Sequence, residues 1–272
     1  FESLRAHSLK CYNLFVDLKL KLRWLILSFL VFLSLASPQP IAAKSYSIDR
    51  VKISIRLNQD GSALVTETRL YRFSGYFSYA YQSILKHPDQ KADPGRTESY
   101  LLDNFSICEP DFCYRPLIGS GVIEQANRDR PSRYYYVLDQ ADRYYLKWFY
   151  RAYNTDKTFI LSYRIKNAVT LHQDVAEFYW KLIGADWSVS QRNIEAEIYL
   201  PGKPADDQIR AWLHGPLEAQ VSIPANNLVT VRLSRLPPEK FLEVRIIFPK
   251  ELVSAGAAGS YRQAEIIAQE EK

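Results

Sequence analysis

The chain has 272 residues, of which 47% are hydrophobic and 24% charged, and its formal net charge is +5. This is the composition of a globular protein, and it excludes a disordered chain, which would combine low hydrophobicity with high charge. Tyr, Phe and Trp make up 14% of the residues, and aromatic residues favour β-strands.

The first 43 residues have the pattern of a secretory signal peptide. Three basic residues precede an apolar run over 24–36, which is shorter than the ~20 residues of a membrane-spanning helix. Small residues follow, so we expect cleavage after Ala36 or Ala43; an uncleaved signal anchor is the alternative. In either case the remaining chain should leave the cytoplasm. Since the sequence contains no Met, we also expect the natural start to differ from Phe1.

The positive charge belongs mainly to this export segment. Removing residues 1–43 leaves 30 basic and 28 acidic residues, a net charge of +2. A nucleic-acid-binding surface needs a basic patch. We therefore expect no nucleic acid among the partners.

After residue 43 the pattern is that of successive β-strands. Apolar and polar residues alternate over 51–57, and the Asp60-Gly61 pair that follows is a hairpin signal leading into a strand over 63–73. Polar stretches over 87–96 and 120–133 are predicted loops.

The second half of the chain continues this pattern. Two aromatic strands are predicted within 134–151, around a turn at 139–142, and further strands over 159–165 and 241–248. Residues 177–201 read as two strands joined by a turn. The last residues, 264–272, have the composition of a beginning helix.

Short alternating strands with turns between them predict an all-β fold, an antiparallel β-sandwich of immunoglobulin-like general architecture, preceded by the signal peptide. The expected organisation is a signal segment over 1–43, an extracytoplasmic sandwich domain over 44–250, and a polar tail or linker helix over 251–272.

The exported part contains two cysteines, Cys108 and Cys113. An even pair in an oxidising compartment predicts a disulfide. A metal site is the weaker alternative, because no second cysteine pair or histidine cluster accompanies them.

The segment 157–201 carries a specific pattern. A strand containing Tyr163 is followed by acidic residues, by Trp180, Gly184 and Trp187, and by a strand that ends at Leu-Pro201. In this order the pattern resembles the central signature of bacterial predicted membrane proteins that contain domain of unknown function 2207. The first hairpin, with its Asp-Gly-Ser turn, and the closing strand over 236–250 resemble the same family, so the resemblance covers about residues 45–250.

This resemblance implies an exported β-rich domain tethered to the membrane. Members of the family usually continue into transmembrane helices, whereas this sequence stops at Lys272. Either the chain is a fragment or this member lacks the anchor. The family supplies no established reaction and no catalytic residues.

The candidate binding residues lie in the same segment. His172, Asp174 and Glu177 precede two tryptophans, and Trp187 is the candidate contact residue. Asp174 and Glu177 are three apart in a probable strand, so their side chains should point to opposite faces, which argues against a catalytic carboxylate pair. Alternation instead places Trp180 in the core, with Gly184 relieving backbone strain in the turn.

We therefore expect a non-enzymatic extracytoplasmic domain of a membrane-anchored protein, with no cofactor, metal or catalytic residue. It would bind a protein or a cell-envelope partner through its loops or an aromatic edge. A carbohydrate-binding or carbohydrate-active module is the first alternative, because of the many Tyr and Trp residues, and a structural spacer is the second.

Overall fold

The structure, a computed structural model, describes residues 43–87, 95, 96 and 98–271, together with Arg23. The predicted signal peptide therefore lies almost entirely outside the described residues, as does most of the predicted loop over 87–96. Residues 44–272 form one compact unit.

Seventeen strands, two α-helices and two short 3₁₀ helices, Asp206–Gln208 and Lys250–Leu252, are described in this unit. The strands are β1 Ser45–Leu57, β2 Ala63–Ser74, β3 Tyr76–Leu85, β4 Leu102–Glu109, β5 Phe112–Cys113, β6 Arg115–Pro116, β7 Tyr134–Asp139, β8 Arg143–Tyr153, β9 Asp156–Ile165, β10 Val169–Leu171, β11 Ala176–Ile183, β12 Gln191–Tyr199, β13 Arg210–His214, β14 Gln220–Ala225, β15 Leu228–Leu236, β16 Leu242–Phe248 and β17 Ala257–Ala258. The helices are α1 Ser120–Asp129 and α2 Gln263–Glu270.

The strands form three sheets. The eight-stranded sheet has the order β14-β15-β12-β1-β2-β9-β4-β5, the five-stranded sheet β13-β16-β11-β10-β17, and the four-stranded sheet β3-β8-β7-β6. Most neighbours are antiparallel, as predicted. The exceptions are the parallel pairs β1/β12, β6/β7 and β10/β17. The immunoglobulin-like arrangement remains a prediction.

Side chains from all three sheets share one hydrophobic core. In β1 the apolar residues at odd positions from Val51 to Leu57 are buried and the polar ones between them are exposed. This one-sided alternation is what a sheet with one face on a core and one face in water requires. The predicted sandwich is therefore confirmed.

The predicted β1–β2 hairpin is present, and its turn chemistry explains it. Gly61 has a φ of 76°, a conformation that other residues resist. The Asp60 carboxylate accepts hydrogen bonds from the Ser62 N–H at 3.0 Å and from its hydroxyl at 2.6 Å. A Cβ on Gly61 would also lie 2.0 Å from the carbonyl oxygen of Ala255. The turn is thus held both by its own sequence and by the C-terminal segment.

Strands β11 and β16 differ from the predicted one-sided pattern. All seven residues of β16 are buried, including Glu243 and Arg245. Alternation along the sequence predicts that Leu242, Val244, Ile246 and Phe248 face inward, and all four are buried. The opposite face of the strand is covered as well. Helix α2 lies on that face, and its Ile266 is fully buried against Val175 and Ile247.

The prediction of a loop over 120–133 is wrong, because residues Ser120–Asp129 form helix α1. Its buried residue is Ala126, which packs against Tyr136 and Phe149, with Ile123 partly buried beside them. The other residues are mostly polar and exposed, and the apolar Val122 is exposed as well. Only Ile123 and Ala126, three apart, therefore carry a helical signal. That signal is too weak to stand out in a polar stretch.

Two other predictions are confirmed. Cys108 and Cys113 form a disulfide that joins β4 to β5. Residues near the C-terminus form helix α2, although it packs onto the five-stranded sheet instead of extending as a polar tail. Within the described ranges, no helix is long and apolar enough to span a bilayer.

Candidate functional site

Three of the four candidate binding residues surround helix α2. His172 and Glu177 are buried, and the His172 Nε2 lies 3.0 Å from Glu177 Oε2. The Tyr261 N–H donates to His172 Nδ1 at 3.2 Å. Because Nδ1 accepts this bond, the ring proton of the neutral imidazole belongs on Nε2, which then donates to Glu177.

Arg245 on β16 connects Glu177 to the helix. Its Nε donates to Glu177 Oε1, and its Nη1 donates to Glu270 Oε1 at 2.8 Å and to Gln269 at 3.0 Å. His214 Nε2 lies 2.9 Å from Glu270 Oε2. A buried arginine between two carboxylates is the arrangement by which charges inside a protein are kept paired.

Asp174 lies in the turn before β11, where its Oδ1 accepts a hydrogen bond of 2.8 Å from the Gln263 N–H. A carboxylate at this place satisfies a free N–H at the start of helix α2 and interacts favourably with the helix dipole. The prediction that Asp174 and Glu177 occupy one strand is wrong, because β11 begins at Ala176. Both residues nevertheless help to hold helix α2, Asp174 at Gln263 and Glu177 through Arg245.

In the structure, His172 and Asp174 thus bind the backbone of Tyr261 and Gln263, and Glu177 is linked to Gln269 and Glu270 only through Arg245. Their role in binding another molecule remains a prediction. Trp187 is separate from them: its indole ring lies under the Arg69 guanidinium at 4.9 Å. Gly184 does not have a positive φ, and a Cβ there would meet nothing closer than 4.0 Å. Relief of backbone strain is therefore not its role.

Arg69 belongs to a buried polar cluster on the core face of β2. Its Nη1 donates to Glu67 Oε2 at 2.5 Å and to Gln82 Oε1 at 3.2 Å, and its Nε donates to Gln191 at 3.2 Å. Glu67 also accepts bonds from Gln82 Nε2 at 2.9 Å and, through Oε1, from the Tyr163 hydroxyl at 2.7 Å. Burial raises the pKa of Tyr163 well above its usual value, and the Glu67 charge raises it further, so its proton stays in this bond.

The cluster forms the floor of a cavity of about 130 Å³, here called the Trp187 cavity. The cavity is also lined by residues 180–187, from Trp180 to Trp187, and by residues 82–85 at the end of β3. Glu243 completes the lining, and its Oε1 lies 2.9 Å from Lys181 Nζ. Aromatic walls over a polar floor are typical of small-ligand sites.

A larger cleft of about 590 Å³ adjoins this cavity, and we call it the β3 cleft. One wall is residues 76–83 of β3. The facing wall comes from β1, β2 and the turn after β11, through Lys44, Tyr46, Tyr71, Phe73, Gly184, Asp186, Trp187 and Ser188. Tyr76, Tyr79 and Tyr81 are exposed, so the cleft offers aromatic surface to a ligand.

Two cations border the β3 cleft without a carboxylate partner among the described residues. Lys44 lies over the Phe77 ring at 5.3 Å. Arg130 lies over the Tyr79 ring at 5.1 Å and donates to Ser78 Oγ at 3.2 Å. The third cation of the cleft, Arg143, pairs with Asp142 at 2.8 Å and with Asp186 at 3.6 Å. The free charge of the cleft is therefore positive.

Sequence reasoning missed Arg69 and the role of Glu67 in this cluster. The signal was present, since the inward positions of β2 read Ala63, Val65, Glu67, Arg69, Tyr71 and Phe73. Two adjacent inward positions carry opposite charges where the pattern calls for apolar residues. Charged side chains on a buried face must be paired, and they therefore mark a polar cluster.

Solved structures with a similar fold are distant. They include a candidate nutrient binding protein from Legionella pneumophila subsp. pneumophila str. Philadelphia 1 (10% identity, TM-score 0.40), an M1 zinc metallopeptidase from Deinococcus radiodurans (9%, 0.37) and a candidate protease from Parabacteroides distasonis ATCC 8503 (10%, 0.36). The matches cover 74%, 73% and 75% of this chain and 66%, 42% and 40% of the three proteins. The chain thus spans less than half of either peptidase, and no function is carried over. A comparison with curated proteins gave no match.

The model of one family, described as the N-terminal domain of a predicted membrane protein (DUF2207), matches residues 47–248. The match covers most of the chain and includes the buried cluster around Arg69 and, apart from Lys44 and Tyr46, the residues that line the β3 cleft. The chain belongs to this family, and the resemblance inferred from the sequence is confirmed.

Proposed function

We propose that this chain is a non-enzymatic binding domain of a membrane-anchored protein, placed on the extracytoplasmic face of the membrane. It binds an extended peptide segment of a protein partner, which adds as a strand to the edge of β3. The export signal in the sequence and the disulfide between Cys108 and Cys113 support the location. The lining of the β3 cleft supports the binding mode.

The single observation that carries this proposal is that eight consecutive residues, 76–83, line the same cleft. Successive side chains of a strand point to opposite faces of the sheet. A cleft lined by every residue in turn therefore runs along the strand's backbone edge. Among the described strands, β3 pairs only with β8, so the backbone groups of the other edge face this cleft.

The composition of β3 supports an interacting edge. Its sequence, YFSYAYQSIL, contains neither a charged residue nor proline, two of the devices by which proteins protect an exposed edge against further pairing. The edge strand β14 contains Pro224, and the edge strand β13 has only five residues, among them Arg210 and His214. Strand addition to an open edge is an established way of binding peptides.

In a peptide that binds in this way, every second backbone N–H group should form a hydrogen bond with β3, so only these groups should be needed for binding. We would select a binder from a displayed random peptide library on the purified chain and then methylate its backbone amides one at a time. In a β-pairing, alternate N–H groups point toward the partner strand. We expect methylation to weaken binding at every second position, by about 5–10-fold for each lost hydrogen bond, and to have little effect between them. Sensitivity without this alternation would contradict strand addition.

A carbohydrate ligand is the second candidate. The exposed rings of Tyr76, Tyr79 and Tyr81, with the half-buried Trp187, favour it, because aromatic side chains present a flat apolar face with a polar group at the rim. A screen of peptidoglycan fragments and common glycans separates the two candidates. Glycan binding that Tyr79→Ala and Tyr81→Ala abolish, with no peptide selected, would favour the carbohydrate.

A further inference from the structure

We propose that the Trp187 cavity is a specificity pocket that receives one acidic side chain of the bound peptide, whose carboxylate accepts a hydrogen bond from Arg69 Nη2. This inference rests on the proposed function, since it names the side chain that the β3 cleft selects. It concerns the cavity and not the strand pairing, so the two can fail separately.

The cavity opens toward the cleft at a defined place. Gln82, Ser83, Gly184, Asp186 and Trp187 line both spaces. A peptide paired along β3 would pass this opening at the level of Gln82 and Ser83. Because alternate side chains of the added strand point to opposite sides, one of them can enter the cavity while its neighbours point away.

The floor of the cavity offers a donor. Arg69 is only 3% exposed and lines the cavity. Its Nε and Nη1 make all three of its hydrogen bonds, and Nη2 has no hydrogen-bond partner among the described residues. Glu67, Gln82, Gln191 and the Trp187 ring hold the guanidinium in place, so Nη2 has a fixed direction and requires no reorganisation.

The acceptors of the same floor are already used. Glu67 Oε1 accepts from Tyr163, and Glu67 Oε2 accepts from both Arg69 and Gln82. A ligand group that accepts a hydrogen bond therefore fits this floor better than one that donates. Arginine binds carboxylate oxygens with charge-assisted hydrogen bonds, which are stronger than neutral ones.

The charges favour an acidic ligand. Within the cavity, Glu67 is paired with Arg69 and Glu243 with Lys181, and Asp186 at the opening is paired with Arg143. The first two pairs are neutral, and Arg143 is shared between Asp186 and Asp142, which leaves one negative charge near the opening. Lys44 and Arg130 add two unpaired positive charges to the adjoining cleft and outweigh it. The volume of the cavity also suits one side chain. A cavity of ~150 Å³ holds a benzene molecule, and the Trp187 cavity, with about 130 Å³, is only slightly smaller.

The test is a positional scan of the selected peptide, in which each residue is replaced in turn by Glu, Gln and Leu. At one position we expect the peptide with Glu to bind about 10–100-fold more tightly than the peptide with Leu, because a hydrogen bond to a charged group contributes this much to affinity. The peptide with Gln should have an intermediate affinity. Equal affinities for Glu and Leu at every position, with the alternating methylation pattern intact, would overturn the pocket but leave the strand addition standing.

A variant that closes the opening provides the second arm. A side chain at Gly184 meets nothing closer than 4.0 Å, and its φ is not positive, so Gly184→Leu should fold and fill the opening. We expect it to abolish the preference for Glu while the methylation pattern persists. Gly121→Leu, at another open position with no atom within 4 Å, is the control. A preference that survives Gly184→Leu would contradict the assignment to this cavity, and a failure to select any peptide would reject both proposals.

Discussion

Two buried tyrosines show how differently the same side chain can be used in this core. The Tyr163 hydroxyl donates to Glu67 at 2.7 Å, whereas the Tyr71 hydroxyl is buried without a partner among the described residues. Burial raises the pKa of both hydroxyls, so neither ionises near neutral pH. Only Tyr163 contributes to the pairing of the Glu67 charge.

This difference predicts opposite results for one substitution. Tyr163→Phe removes a donor from a buried carboxylate and should lower the free energy of unfolding by about 1–3 kcal/mol. Tyr71→Phe removes a hydroxyl whose burial is not compensated, so the stability should be unchanged or slightly increased. Urea denaturation of the two variants, each otherwise isosteric with the parent, measures both values. Equal losses would contradict the cluster described around Arg69.

At the scale of elements, the packing of helix α2 on the five-stranded sheet depends on the charge of Glu270. Burial alone would raise the pKa of Glu270, but its hydrogen bonds from His214 and Arg245 outweigh burial and lower it. A carboxyl whose pKa is lower in the folded state stabilises the fold above its unfolded-state pKa. It loses that contribution as the pH falls through the folded-state value. The docking of α2 should therefore weaken in acid.

The pH dependence of α2 docking can be tested by amide hydrogen exchange. Exchange rates, corrected for the intrinsic rates at each pH, are compared between neutral pH and pH values below the ordinary Glu pKa of about 4.3. We expect protection of residues 263–270 to fall on the order of tenfold in acid, while that of β1 changes little. Glu270→Gln should lower the protection at neutral pH and remove most of its pH dependence. A helix in the parent whose protection is independent of pH would contradict the role of Glu270.

Local patterns account for most of the strands. Alternation in β1, β2, β8, β9 and β12 is set by neighbours along the chain and by one buried face, so the sequence alone predicts it. The sequence pattern did not predict helix α1, because only Ala126 and Ile123 form its packed face. The pattern of β16 did not predict burial on both faces, because helix α2, which covers the second face, follows later in the sequence. Its Glu270 is the partner of Arg245.

The candidate site was predictable only in part, for a similar reason. His172, Asp174, Glu177 and Trp187 are close in sequence, yet the first three lie before or at the beginning of β11 and Trp187 lies beyond its end. The β3 cleft and the Trp187 cavity combine β2, β3 and the turn after β11, which belong to three different sheets. These three elements lie close together only because of strand pairing between residues that are far apart in the sequence. Local residue patterns carry no information about such pairing.

At the scale of the whole molecule, the sheets of the described residues leave one long, uncharged strand edge without a partner strand, beside a cleft. The eight-stranded sheet ends at β14 and β5, and the five-stranded sheet ends at β13 and β17. These edges are short or carry proline or charge, whereas β3 has ten residues and none of these features. The arrangement directs strand addition to one place, beside two unpaired cations and above a buried arginine.

The most direct test of this account is amide hydrogen exchange of the chain with and without the selected peptide. We predict that protection increases at alternate residues of Tyr76–Leu85, whose amides face the cleft, while β13 and β14 exchange as before. Protection that appears at β13 or β14 instead, or peptide binding without any change in β3, would contradict the central claim that the β3 edge is the binding site.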